Sequence, residues 1–352
     1  MEPSLNDRRP RPRIETLADL IFGLSLSIGA IGLIADAPVS WLKALDCYKL
    51  GNVWRLPSAK ELLTIVDRVE SLRDRLVHTS LAVAQIMDLR GDFERALELA
   101  RETRIRAIDL SAHERMHATY FVMAALYRLG RWQEILPLLD EHLAAFAEET
   151  VDMNCPFTRG GPVIGAIVLD QMGRLDDAAE ASGSIVPNDA EPGLVEAWMA
   201  ERALLAGEPG AAREIAQETL SFGRGLTIEQ PPYEVPVLVE ALAALGHWDE
   251  MEATLPAIRA RAANVAWLAP AVDRAEAGRL AASGDRAGAE SGFRRALDAY
   301  RRLGMLPEVS RTLEHLADLD PSDEASIGRR REAAAIRATL TDPKEIPTDQ
   351  PV

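Results

Sequence analysis

The sequence predicts an all-α protein built from stacked helical hairpins, and two observations support this fold class. Hydrophobic residues make up 47% of the 352 residues, but aromatic residues only 5%. Ala, Leu, Glu and Arg dominate, and such residues lose little side-chain freedom in a helix. A β-sandwich would require more Val, Thr and Tyr. The second observation is a short phrase that recurs along the chain and indicates one long repeat array rather than several unrelated domains.

The recurring phrase contains an apolar residue, a glycine, a polar residue, an apolar residue and, three positions later, a small or apolar one. Glycine can end a first helix because the left-handed conformation needed there costs little without a Cβ. The polar residue suits the start of a second helix. A single hairpin cannot bury its own apolar face, so neighbours must stack. The copies lie 39, 43, 34, 39 and 38 residues apart, with a possible earlier copy at Gly51, and their glycines are Gly91, Gly130, Gly173, Gly207, Gly246 and Gly284.

This pattern predicts seven pairs of helices. First helices are expected near 73–90, 113–129, 162–172, 192–206, 232–245, 266–282 and 306–319. Second helices are expected near 92–106, 131–147, 174–184, 209–222, 248–263, 286–303 and 324–340. The stretches 150–162 and 222–236 contain Pro, Gly and short polar residues and are predicted to be loops. Residues 341–352 are predicted to form a disordered tail.

Two copies of the phrase, Leu129-Gly130-Arg131-Trp132 and Leu245-Gly246-His247-Trp248, resemble the consensus of the tetratricopeptide (TPR) family. The resemblance implies a right-handed TPR-like α-solenoid of about six to seven hairpins over residues 38–340, although the TPR period is 34 and most spacings here are longer. Residues 296–304 are also similar to the TPR tails of bacterial nucleotide cyclases and ATPase-type transcription regulators. This likeness implies a regulatory or scaffolding role.

In TPR arrays the first helices line a concave groove. The resemblance therefore implies a groove for a partner peptide or helix, whose exposed positions fall at fixed steps before each turn glycine. Tyrosines could anchor such a partner, although each residue could instead take part in packing between repeats. A protein–protein interaction or scaffold module is the first hypothesis; a sensor tail of a signalling system lacking its own catalytic module is the second. The predicted groove residues are His78, Gln85, Asp88, His117, Tyr120, Tyr127, Asp170, Glu201, Tyr233, Glu240 and Arg274.

The charge of the chain constrains its partner. Its net charge is −16, which opposes binding to a phosphate backbone and excludes nucleic acid as the expected partner. The predicted groove has mostly acidic neighbours, so a basic or amphipathic protein segment is expected.

One motif suggests an enzyme. His113-Glu114-Arg115-Met116-His117 has the histidine spacing that binds zinc in metalloproteases, with a glutamate as general base. Arg115 departs from that pattern, and a third ligand such as Glu134 would have to come from the partner helix. A zinc hydrolase is therefore an alternative, while the main expectation is a protein that is not an enzyme and carries no cofactor or metal. The sequence contains no phosphate-binding loop and no nucleophile elbow.

The two cysteines, Cys47 and Cys155, form no CxxC pair. A disulfide framework is therefore not expected. Each is expected to be a small buried residue rather than a reactive group.

The N-terminus has a basic flank, 1–13, followed by a hydrophobic segment, 14–37, predicted to be helical. Its uncharged centre, Leu20–Ala35, is somewhat shorter than the roughly 20 residues of a membrane span. A membrane anchor, a signal peptide and a helix packed on the first repeat all remain open, so the location is either cytoplasmic or membrane-associated. Arg13 and Leu17-Ala18-Asp19 weakly resemble the first helix of lysosomal-type and bacterial six-helix potassium channels, but no pore can follow.

Overall fold

A computed structural model describes the part of the chain that carries most of the predicted repeats. All of the described residues belong to one compact unit, Ser58–Val352. The hydrophobic segment 14–37, Cys47, the Gly51 turn and the tail after 342 lie outside the described residues. Among the helices that are described, none is long and apolar enough to cross a membrane. The described residues are 60, 63–64, 72–148, 155–183, 185, 193–223, 233–262 and 265–342.

Within these residues the chain is helical and contains no strand, which confirms the all-α prediction. Fourteen α-helices form seven consecutive hairpins. A single 3₁₀ turn, Trp132–Glu134, precedes the second helix of the second hairpin. The helices are α1 Leu72–Arg90, α2 Phe93–Ala107, α3 Ala112–Leu129, α4 Ile135–Phe146, α5 Pro156–Gln171, α6 Leu175–Gly183, α7 Leu194–Leu205, α8 Pro209–Gly223, α9 Glu234–Leu245, α10 Trp248–Ala262, α11 Leu268–Ala282, α12 Arg286–Leu303, α13 Leu306–Asp318 and α14 Glu324–Thr341.

The turn glycines lie where the repeat predicts them. Gly130 (φ +76°) and Gly246 (φ +68°) end α3 and α9 in the left-handed conformation. The other four predicted turn glycines also have positive φ. Polar residues begin the following helices: the Asp92 side chain accepts a hydrogen bond from the Arg95 amide at 3.2 Å. The first six hairpins are thus fixed by local chemistry at their turns.

One predicted loop is wrong. The stretch 150–162 was expected to connect two hairpins, but α5 begins at Pro156 and continues through Gly160, Gly161 and Pro162. A Cβ at Gly160 would lie 2.7 Å from the Tyr120 ring, and one at Gly161 would lie 2.6 Å from the His142 ring. These glycines therefore allow α5 to pack closely against α3 and α4, and tertiary packing outweighs their poor helix propensity.

The hairpins stack in a regular order. From α1 to α11, the first helix of each hairpin packs against the first helix of the next, and each second helix packs against its own first helix. One continuous apolar core runs from Ala82 to Leu340. This repeat-like packing is compatible with an α-solenoid.

The two ends of the described array also meet. The Ala266 amide donates to the Leu89 carbonyl at 3.2 Å, and the Gln133 side chain donates to the Thr341 carbonyl at 2.9 Å. Helix α3 packs against α13. The first helices consequently surround an enclosed centre instead of facing an open channel.

Candidate functional site

Most of the predicted groove residues point toward this enclosed centre. Asp88, Tyr120, Tyr127, Glu201 and Arg274 are buried. Partly buried positions are occupied by Gln85, His117, Asp170, Tyr233 and Glu240. His78 lies in α1, but its side chain is outside the described ones. We refer to the charged and hydrogen-bonded residues at the centre as the central polar cluster: Asp88, Tyr127, Arg128, Glu201, Tyr233, Glu240, Arg274, Glu308 and Arg311.

Asp88 lies where the first and fifth hairpins meet. The Tyr233 hydroxyl donates to its carboxylate, and the Trp267 indole donates to its backbone carbonyl at 2.8 Å. Burial raises the pKa of Asp88 to about 7, although Tyr233 and Arg128 both act to lower it. A buried carboxyl group with this pKa changes its charge near neutral pH.

Arg128 and Glu201 form a buried ion pair at 3.1 Å. The Tyr127 hydroxyl donates to the same Glu201 oxygen at 2.8 Å. The Arg128 guanidinium also lies 4.5 Å from the centroid of the Trp198 ring, a cation–π contact that favours its charged form. The pair therefore has both ionic and aromatic partners.

Arg274 connects the fifth and seventh hairpins. Its guanidinium contacts Glu240 and lies 2.6 Å from a Glu308 carboxylate oxygen. Arg311 contacts both glutamates from the other side. Burial opposes ionisation of Glu308, but Arg311 and Arg274 outweigh it and lower its pKa to about 2. Two arginines and two glutamates thus neutralise one another inside the protein.

The centre has little free space. A cavity of about 20 Å³ remains among Arg128, Glu201, Tyr233, Glu240 and their neighbours, which is room for about one water molecule. The predicted residues are therefore brought together, but they fill the space in which a peptide was expected. The sequence did not identify Arg128, Glu308 and Arg311 as part of this cluster. Arg128 lies only two residues before Gly130, outside the predicted spacing, and α13 is not followed by a turn glycine.

An open groove lies elsewhere, between the third and fourth hairpins. Its volume is about 640 Å³. Two large apolar side chains line it while exposed to solvent, Leu175 at 64% and Met199 at 36%. Asp170 and Arg202 form an ion pair at 2.6 Å within it. We call this the side groove; its walls come from α5, α6, α7 and α8, and Asp170 is the one predicted groove residue that lines it.

The carboxylates of the metalloprotease-like motif have other roles. The Glu114 side chain contacts the Ser111 hydroxyl at the start of α3, as in a capping box. Glu134 accepts hydrogen bonds from Arg101 at 2.6 Å and from Arg131. The expected general base, Glu114, is therefore engaged in capping, and the expected third ligand, Glu134, in ion pairs.

No protein-family model matches the chain. No curated protein matches it either. The architecture alone therefore defines the class, an all-α protein of repeated helical hairpins.

Proposed function

We propose that the protein is a protein-interaction module, a TPR-like right-handed α-solenoid whose side groove binds a basic amphipathic helix of a partner protein. The observation that carries this proposal is the exposed apolar lining of a groove that has room for side chains. The central polar cluster has no comparable space, so binding is assigned to the side groove.

The apolar lining supports binding of an apolar face. Leu175 and Met199 lie beside Val163, Leu205 and Ile215 in the same groove. Covering such surface contributes about 25 cal/mol for each Å² removed from water. Methionine also adapts its shape to different partners. The apolar side of an amphipathic helix would supply this cover.

The charges around the groove indicate the polar side of the partner. Asp170 and Asp177 are already paired with Arg202 and Arg174. Glu208 also lines the groove, and Asp176 lies in the first turn of α6 beside Leu175. Together with the net charge of −16, these carboxylates favour a helix bearing Lys or Arg. Complementary charge of this kind mainly raises the association rate and the specificity.

A direct test uses fluorescence anisotropy with a labelled peptide of leucine and lysine placed at helical spacing. The full chain should bind this peptide, and Leu175→Arg should weaken binding at least about tenfold, which corresponds to roughly 1.4 kcal/mol. The substitution removes apolar surface from the groove and introduces a charge of the same sign as the peptide.

Ile105→Arg is the matched control, because Ile105 is 60% exposed in α2 and Leu175 is 64% exposed in α6. The control should bind the peptide as the parent protein does. Equal losses in the two variants, or equally tight binding of a leucine–glutamate peptide, would contradict the proposal.

A further inference from the structure

A second group of polar side chains lies near the starts of α3 and α5, separate from the residues of the side groove. His113 and His117 occupy successive turns of α3, and Cys155 directly precedes α5. One ligand atom from each of the three residues lies within 4.8 Å of the others. His117 Nε2 is 3.0 Å from Cys155 Sγ.

Both the sequence and the packing create this arrangement. Histidines four residues apart share one face of a helix. Gly160 lets α5 approach Tyr120 of α3, and this close approach brings Cys155 beside the histidines. The Phe157 ring contacts His117 edge-on, with ring centroids 4.5 Å apart. The Phe157 ring therefore packs beside the same imidazole that contacts the thiol.

The distances suit a metal ion. In a tetrahedral zinc site, Zn–N bonds of about 2.0–2.1 Å and Zn–S bonds of about 2.3 Å place the ligand atoms roughly 3.3–3.8 Å apart. The His117–Cys155 separation of 3.0 Å is close to this range, and the ligand atoms of all three residues lie within 4.8 Å of one another. Imidazole and thiolate together are a donor set that suits zinc.

A hydrogen bond between His117 and Cys155 would explain the contact between those two residues alone. That hydrogen bond does not explain the position of His113, whose Nδ1 is buried and has no hydrogen-bond partner within the described structure. Buried polar atoms normally have a partner. A shared metal ion accounts for the proximity of all three side chains.

We infer that His113, His117 and Cys155 bind a zinc ion, with water in the fourth position. On binding, the Cys155 thiol loses its proton to solvent as the Zn–S bond forms, and no oxidant or reductant is needed. Glu114 is engaged in capping α3, so it is not assigned the role of a general base. The ion joins the second hairpin to the third.

The test is a titration of chelator-treated full-length protein with Co²⁺, a spectroscopic substitute for zinc. One equivalent should bind and give a thiolate-to-cobalt charge-transfer band with tetrahedral d–d absorption, and Zn²⁺ should abolish both. Zinc should also raise the melting temperature, because it binds the folded state. His117→Ala and Cys155→Ser should each weaken binding at least about 100-fold.

Cys47→Ser and His247→Ala are the matched controls, since both remove the same side-chain types elsewhere in the chain. Both should bind cobalt as the parent protein does, and circular dichroism should show every variant to be folded. The inference is overturned if the charge-transfer band is missing, if it survives in Cys155→Ser, or if it disappears in Cys47→Ser.

Discussion

The central polar cluster and the side groove are built from the same kind of repeat, yet they differ in every property that matters for binding. In the cluster, Arg274 contacts two glutamates and is 3% exposed. In the side groove, Leu175 is 64% exposed and about 640 Å³ is open. The cluster forms where first helices from both ends of the array meet. The groove forms where only neighbouring hairpins meet.

This difference shows how closure of a repeat array changes the role of its inner face. Once the ends meet, polar side chains there lose water and must satisfy one another. Their pairing then sets the relative positions of distant hairpins, since Arg274 and Glu308 come from the sixth and seventh hairpins and Glu240 from the fifth. Apolar surface remains available for a partner only outside the closed region.

Removing a central charge should have the largest effect on stability. Arg274→Ala leaves Glu240 and Glu308 buried without their main counter-ion, and breaking such a pair costs about 3–5 kcal/mol. Arg311 still contacts both glutamates, so the loss should fall toward the lower end. Urea denaturation followed by circular dichroism measures it.

Arg301→Ala is the comparison variant, because the Arg301–Glu332 pair is about half exposed on both sides. Removal of that surface pair should cost about 0–1 kcal/mol. Similar small losses in both variants would mean that the central arginine is solvated and that the array does not close as described.

The closing contact itself can be tested at two turn glycines. Gly130 (φ +76°) and Gly207 (φ +81°) have the same strained conformation. A Cβ at Gly130 would lie 2.6 Å from Leu340 Cδ2 and 3.1 Å from Leu306 Cβ, whereas one at Gly207 meets nothing within 4 Å. Gly207→Ala should therefore cost about 1–2 kcal/mol from backbone strain alone.

Gly130→Ala should cost about 2–4 kcal/mol, because overpacking against the last hairpin is added to the same strain. Thermal and urea unfolding of the two variants under identical conditions give the difference. If Gly207→Ala is destabilised as much as Gly130→Ala, the contact between the second and last hairpins does not exist in solution.

The elements that sequence predicts well are those whose cause is local. The glycine turns and most helix ends follow from the conformational freedom of glycine and from capping residues such as Asp92. The start of α5 was missed because Gly160 and Gly161 acquire their role only from Tyr120 and His142, which lie on other helices. A local pattern carries no record of such a contact.

The site was predicted less completely for the same reason. The spacing before the turn glycines placed Asp88 and Tyr233 in one group, and their side chains contact one another. It could not show that Leu89 would pair with Ala266 and enclose them. The position of Cys155 beside His117 likewise depends on how closely α5 packs against α3. Closure and convergence are properties of distant contacts, which periodicity does not encode.

The smallest expected effect is the pH dependence due to Asp88. Its pKa rises from 3.8 to about 7 on folding, mainly through burial, so the folded state holds a proton that the unfolded state releases. The contribution of Asp88 to the free energy of unfolding is therefore fully present below about pH 4 and is lost as the pH rises through about 7. Asp88→Asn cannot titrate, so its stability relative to the parent should rise by about 2 kcal/mol between pH 5 and 6.5.

Urea denaturation of metal-free protein at several pH values provides the measurement. Burial lowers the pKa of His142 and His315 to about 4, and these groups act in the opposite direction in both proteins, so they cancel in the difference. Tyr233→Phe removes the hydrogen bond that lowers the pKa of Asp88, and it should move the transition to higher pH. If the difference in unfolding free energy between the parent and Asp88→Asn stays constant with pH, Asp88 contacts solvent. The central polar cluster would then be as open as the side groove.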